Sequence, residues 1–151
     1  IRIMATVIRF KMLEGAEDLA PRKAHADDAA YDLSCREDMA LEPGEVALAP
    51  TGMFLELVPG FEAQIRPRSG LALKHSVTVL NSPGTIDAGY RGEVKVILKN
   101  ESEQAFAIRR GDRVAQMVIQ KLPEIELVNA DQLSESVRGD GGFGSTGMET
   151  H

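Results

Sequence analysis

Short runs in which apolar and polar residues alternate, each cut off by turn residues, constrain this chain more than any other feature. Burial at every second position belongs to a half-buried strand, because successive strand residues point to opposite faces. Ile8, Phe10 and Met12 alternate with Arg9 and Lys11, and Phe61, Ala63 and Ile65 with Glu62, Gln64 and Arg66. Val94, Val96 and Leu98 alternate with Lys95 and Lys99. A fourth run, Arg113 to Lys121, sets Ala115, Met117 and Ile119 on one face and Val114, Gln116, Val118 and Gln120 on the other, with Gln116 as a polar residue in its interior. Turn signals fall between the runs at Pro43-Gly44, Pro50-Thr51-Gly52, Pro59-Gly60, Ser82-Pro83-Gly84, Gly89 and Arg110-Gly111-Asp112. Their spacing of roughly 8–12 residues is that of a sandwich or barrel, so the chain reads as all-β. One short helix is predicted, beginning after Ser69 as N-cap and running through Leu71 to Lys74.

At 151 residues and 43% hydrophobic content, the chain carries the material for one core. Residues 1–130 read as the β domain and residues 131–151 as an arm. From about Asp131 the chain is crowded with Ser and Gly, and Phe143 is its one aromatic residue. Such a segment cannot order itself by burial. It is either a frayed terminus or an arm that closes on a ligand, with glycines letting backbone N–H groups approach an anion.

Charge and cysteine usage exclude several classes. With 17 Lys+Arg against 23 Asp+Glu the net charge is −6, and no basic run exists, so a nucleic acid polymer is not an expected partner. Cys35 is the single cysteine, which excludes an intrachain disulfide and fits a reducing, cytoplasmic home. Apolar stretches are short and the start lacks signal-peptide regions, so no membrane association is expected. Met4 is a candidate start, with Ile1 to Ile3 either a remnant or a native extension. A Walker-type phosphate loop is missing, and His25, His75 and His151 are too dispersed for a metal site.

Two segments could carry chemistry. Arg66-Pro67-Arg68-Ser69-Gly70-Leu71 puts a guanidinium and a hydroxyl at the mouth of the predicted helix. That is either a seat for an anion or an ordinary capped turn with a solvated arginine. The segment from Asn81 to Glu93 is a hairpin bearing an amide, an acid and a ring. Asp87 there either bonds its own turn or serves as a general base for water, with Tyr90 as a flat wall.

Together with three other stretches, these segments resemble the five ordered motifs of the trimeric dUTPases. The first is Ala29-Ala30-Tyr31-Asp32-Leu33-Ser34-Cys35 and the second Pro67-Arg68-Ser69-Gly70-Leu71. The third runs from Gly84 to Glu93, the fourth from Gly111 to Met117, and the fifth from Arg138 to Gly147. Ala30 stands where the family commonly has glycine, and Cys35 where it commonly has alanine.

The resemblance implies a β-clip-like jelly-roll barrel with a flexible Gly-rich C-terminal arm, and a homotrimer whose three sites each draw motifs from all three chains. It implies Mg²⁺-dependent hydrolysis of dUTP to dUMP and pyrophosphate by water attack on the α-phosphorus, which keeps uracil out of DNA and supplies dUMP for dTMP synthesis. Asp87 is the implied catalytic base. Arg68, Ser69, Gly70, Gln116, Arg138, Gly144, Ser145 and Thr146 match the phosphate-binding positions. Asn81, Gly84, Thr85, Ile86 and Tyr90 match the uracil and deoxyribose pocket, and Phe143 the ring that stacks on the base. Asp32 would meet the Mg²⁺ through water. The related dCTP deaminases share the fold but are not expected to carry the Phe143 arm, and a non-catalytic nucleotide-binding trimer has no need of Asp87.

Overall fold

The computed structural model describes residues 4–144. Three of the alternating runs become strands that bury one face: β5 (Phe61–Arg66), β8 (Glu93–Asn100) and β10 (Arg113–Lys121). The fourth becomes β1 (Arg9–Met12). Between them lie β2 (Tyr31–Ser34), β3 (Met39–Leu41), β4 (Val46–Glu56), the helix α1 (Ser69–His75), β6 (Val77–Val79), β7 (Gly84–Ile86) and β9 (Phe106–Ile108).

The strands form two open four-stranded antiparallel sheets, ordered β1-β4-β8-β6 and β2-β10-β5-β7, and a small β3-β9 pair. Met53, Val77, Val94, Val96 and Leu98 of the first sheet share one core with Leu33, Ala63, Ile65 and Met117 of the second, and Leu41 and Ile108 of the pair close one end. This is an all-β, jelly-roll-like sandwich with one short helix.

Departures from strict alternation have local causes. Arg113 pairs with Ser34 while Ala115 pairs with Leu33, so Val114 is an extra residue, and both Val114 and Ala115 are buried. The expected division of β10 into two alternating faces is therefore broken at this bulge, and further along Met117 and Val118 are buried in succession as well. Phe10 pairs with Leu55, yet it lies on an edge strand with one neighbour and is half exposed. The helix starts at Ser69, one residue earlier than expected. Arg68 takes the N-cap position with an extended backbone, its carbonyl accepting from the Ala72 N–H at 3.1 Å, and Ser69 makes no capping bond.

A second bulge shapes the centre of the first sheet. Pro50 pairs with Lys95 and Phe54 with Glu93, leaving Thr51 to Met53 to bow outward. The Thr51 hydroxyl donates to the Val94 carbonyl at 2.6 Å and accepts from Met53 N–H at 3.1 Å, replacing the lost ladder bonds. Gly52 makes the bow possible, with φ of +73° and a position where a Cβ would come 2.9 Å from the Ala16 Cβ.

After Lys121 the described residues contain no further strand or helix. Ile125, Leu127, Val128 and Leu133 are all exposed there.

Candidate active site

Three neighbouring strands place three polar side chains in one row. Gln116 on β10 is paired with Asp32 on β2 and with Arg66 on β5, so all three point to the same face of the sheet. The Gln116 amide donates to the Pro67 carbonyl at 2.9 Å, which anchors the turn that presents Arg68, Ser69 and Gly70. Asp32 lies between two guanidiniums, with Arg68 Nε at 3.6 Å and Arg113 Nη1 at 3.4 Å. Arg68 also donates to the Arg113 carbonyl at 3.2 Å. The result is a polar cleft of about 370 Å³ lined by Asp32, Arg68, Ser69, Gly70, Arg113 and Gln116, with Ala29 and Ala30 on its wall.

This cleft suits a polyanion. Arg68 and Arg113 supply positive charge, and Asp32 holds both guanidiniums in place. The described residues contain no group of three His, Cys, Asp or Glu able to cage a metal. Asp32, engaged by two arginines, and Asp28 are the carboxylates that line the cleft, too few for a protein cage, so an Mg²⁺ held there would need further oxygen ligands from outside the chain.

A second cavity, of about 330 Å³, lies between the two sheets' margins and is lined by Asn81, Gly84, Thr85, Ile86, Asp87 and Tyr90, with Ile65 and Val79 beneath. β7 supplies Gly84 to Ile86, and the hairpin after it supplies Asp87 and Tyr90. Gly84 is buried, and a Cβ there would lie 3.2 Å from Asn81 Nδ2 and 3.4 Å from Ile65 Cβ. The Ser82–Pro83 peptide bond is cis. Asp87 is exposed, its backbone carbonyl accepts from Tyr90 N–H at 3.1 Å, and among the described residues its carboxylate makes no hydrogen bond or ion pair. The Tyr90 hydroxyl donates to the Glu93 carbonyl at 2.9 Å. Gly92 leaves room for that ring, since a Cβ there would lie 2.6 Å from Tyr90 Cζ.

Around this pocket, Arg91 and Glu93 were legible as members of the third motif, whereas their contacts and Arg36 were not. Arg91 Nη1 donates to the Ala88 carbonyl at 2.6 Å and closes the hairpin. Arg36 and Glu93, 57 positions apart, form an ion pair at 2.8 Å. The Arg36 guanidinium holds the Glu93 carboxyl below its usual range, helped by the Gly52 N–H, and Glu93 in turn raises the Arg36 pKa. Arg113 was legible only as part of the fourth motif, and its pairing with Asp32 depends on the β2–β10 register.

The two cavities share no lining residue. Asp32 on β2 and Thr85 on β7 occupy opposite edges of one sheet, three inter-strand steps or about 14 Å apart. Among the described residues, none of the arm lines either cavity. Phe143 is fully exposed with φ of +54°, and Arg138 Nε donates to the Gly141 carbonyl of its own turn. Gly144 is exposed with φ of +83°, and Ser145 and Thr146 lie outside the described residues.

Comparison with known proteins agrees with this geometry. The family model described as dUTPase matches residues 17–147. The deoxyuridine 5'-triphosphate nucleotidohydrolase of Gloeothece citriformis is 55% identical over 141 residues, covering 93% of this chain and 97% of that protein. The enzyme of the same name from Clostridium acetobutylicum is 51% identical over 142 residues, covering 94% and 97%. Among solved structures, the dUTPase of Staphylococcus bacteriophage 80alpha with dUPNHPP superposes with a TM-score of 0.87 at 28% identity, covering 95% of this chain and all of that one. A family match over residues 17–147, with relatives more than 50% identical over nearly their whole length, places this chain in the dUTPase family.

Proposed function

We propose that this chain hydrolyses dUTP to dUMP and pyrophosphate at sites shared between the chains of a homotrimer. The observation that carries the reading is the separation of the two cavities. The pocket of Asn81, Gly84 to Asp87 and Tyr90 and the cleft of Arg68, Ser69, Gly70 and Gln116 are each half a site, on opposite edges of one sheet. A second chain that brings its cleft against the first chain's pocket joins base and phosphate recognition. A third contributes the arm with Arg138, Phe143, Gly144, Ser145 and Thr146. Exposed Phe10, Val46, Leu48 and Leu80 supply apolar surface for such an assembly. Residues 1–130 act as the hydrolase domain and residues 131–151 as its arm.

Chemistry follows from the side chains. Uracil enters between Asn81 and the β7 hairpin, where backbone donors and acceptors read its edge and narrow walls exclude a methyl group. Tyr90 lies against the deoxyribose and leaves no space for a 2′-hydroxyl. Asp87, whose carboxylate is uncommitted, accepts a proton from water as the water oxygen bonds to the α-phosphorus. The bond from that phosphorus to the bridging oxygen breaks, and pyrophosphate leaves with the electron pair. Arg68, Ser69, Gly70 and Gln116 orient the phosphates and offset their charge. Mg²⁺, when bound, neutralises charge on the phosphate oxygens, and Asp32 would hold one of its waters. Phe143 stacks on the base and the arm excludes bulk water.

None of the described helices is long and apolar enough to cross a membrane. We place the reaction in the cytoplasm, where it keeps uracil out of DNA and supplies dUMP for dTMP synthesis. Incubation with Mg²⁺ and dUTP, dCTP, dTTP or UTP tests the reading. Pyrophosphate from dUTP alone is expected, and ammonia from dCTP would overturn it in favour of a deaminase.

A further inference from the structure

Glu93 joins two parts of the molecule that no motif connects. Its side chain is 12% exposed and held from two directions. Oε2 accepts from Arg36 Nε at 2.8 Å and from Gly52 N–H at 2.9 Å, and Oε1 accepts from Arg36 Nη2 at 3.3 Å. The backbone carbonyl of the same residue accepts the Tyr90 hydroxyl at 2.9 Å. Any movement of Glu93 is therefore passed to the ring that walls the nucleotide pocket.

Arg36 is suited to prevent that movement. It stands one residue beyond the first motif, and its own N–H donates to the Pro50 carbonyl at 2.9 Å, just before the bulge. Its Cδ lies beside Gly52, 3.3 Å from where a Cβ would be. Neighbouring Cys35 is pinned in both directions, donating to the Asp112 carbonyl at 2.8 Å and accepting from Gly111 N–H at 2.8 Å. The guanidinium thus projects from a frame fixed to β4 and to the turn before β10, and it meets Glu93 through two nitrogens. Two-point contact fixes orientation as well as distance, which a lysine ammonium cannot do.

From this geometry we infer that Arg36 is a positioning residue for sugar selectivity: it fixes Glu93, which holds Tyr90 where a 2′-hydroxyl would have to fit. The inference rests on the proposed function, since it presupposes that Tyr90 faces the sugar. Loosening the Arg36–Glu93 pair frees the ring to retreat, and the ribonucleotide gains more than the deoxyribonucleotide.

The test compares kcat/KM for dUTP and for UTP in the full-length wild type, Arg36→Met, Arg36→Lys, Tyr90→Phe and the Arg36→Met/Tyr90→Phe double variant. In Arg36→Met the dUTP-to-UTP ratio should fall about tenfold, mainly through a lower KM for UTP. Arg36→Lys should retain part of the ratio. Once Tyr90→Phe has removed the hydroxyl tether, adding Arg36→Met should change the ratio little. A merely structural arginine would lower both activities together and leave the ratio unmoved, and that result overturns the inference. So would losses that multiply in the double variant. Should Arg36→Met fail to fold, Arg36→Lys decides, because an unchanged ratio there is equally contrary. A wild type inactive on dUTP would instead overturn the proposed function itself.

Discussion

Gln116 owes its place in an otherwise apolar strand to the Pro67 carbonyl, to which it donates at 2.9 Å. As an oddity it was visible in the sequence, but its reason lies in a strand pairing that sets it beside Asp32 and Arg66. The same holds for Asp32, whose acid was legible while its two arginine partners were not. Asp87 presents the reverse case. A motif identified it, and the structure adds that its carboxylate is exposed and, among the described residues, uncommitted. Replacing one carboxylate oxygen with an amide nitrogen conserves shape and removes the proton acceptor. Asp87→Asn should therefore leave nucleotide binding nearly intact, measured by calorimetry, while kcat falls about 10²–10⁴-fold. Unchanged turnover would remove Asp87 from its role. Arg36 and Glu93 were not legible as a pair, because nothing local relates residues 57 positions apart.

Alternation predicted β5, β8 and β10 because each buries one face against the opposing sheet, and the period of two is the direct imprint of that burial. It failed where an extra residue enters the ladder. At Val114 the bulge puts two successive residues into the core, and at Thr51 to Met53 the strand bows around Gly52. Pro50-Thr51-Gly52 looked like a turn between strands because the same residue types serve turns and bulges. The structure distinguishes the two by the Thr51 hydroxyl bonds to Val94 and Met53. Gly52 is doubly required, by its positive φ and by Ala16 across from it. Gly52→Ala should lower unfolding free energy by about 1–3 kcal/mol in a urea titration. Gly60→Ala, which meets the same positive φ but open space, should cost only about 1 kcal/mol. Equal costs would show that the contact with Ala16 carries no weight.

At the scale of the molecule, a single chain keeps its two cavities on separate linings, and no described residue of the arm reaches either. The resemblance carried by the five motifs already implied sites drawn from three chains, and strand order adds the physical ground for it, with β2 and β7 as the two edges of one sheet. The most direct test is complementation between subunits. Asp87→Asn spoils the base-pocket half and Arg68→Met the phosphate half, so each variant alone should be nearly inactive. Refolding or expressing the two together gives mixed trimers, in which roughly a quarter of the sites combine an intact Asp87 from one chain with an intact Arg68 from another. Activity should rise to about that fraction of wild type. If Asp87 and Arg68 of the same chain formed each site, no mixture could contain an intact one, and co-assembled variants as inactive as their parents would contradict the shared-site account.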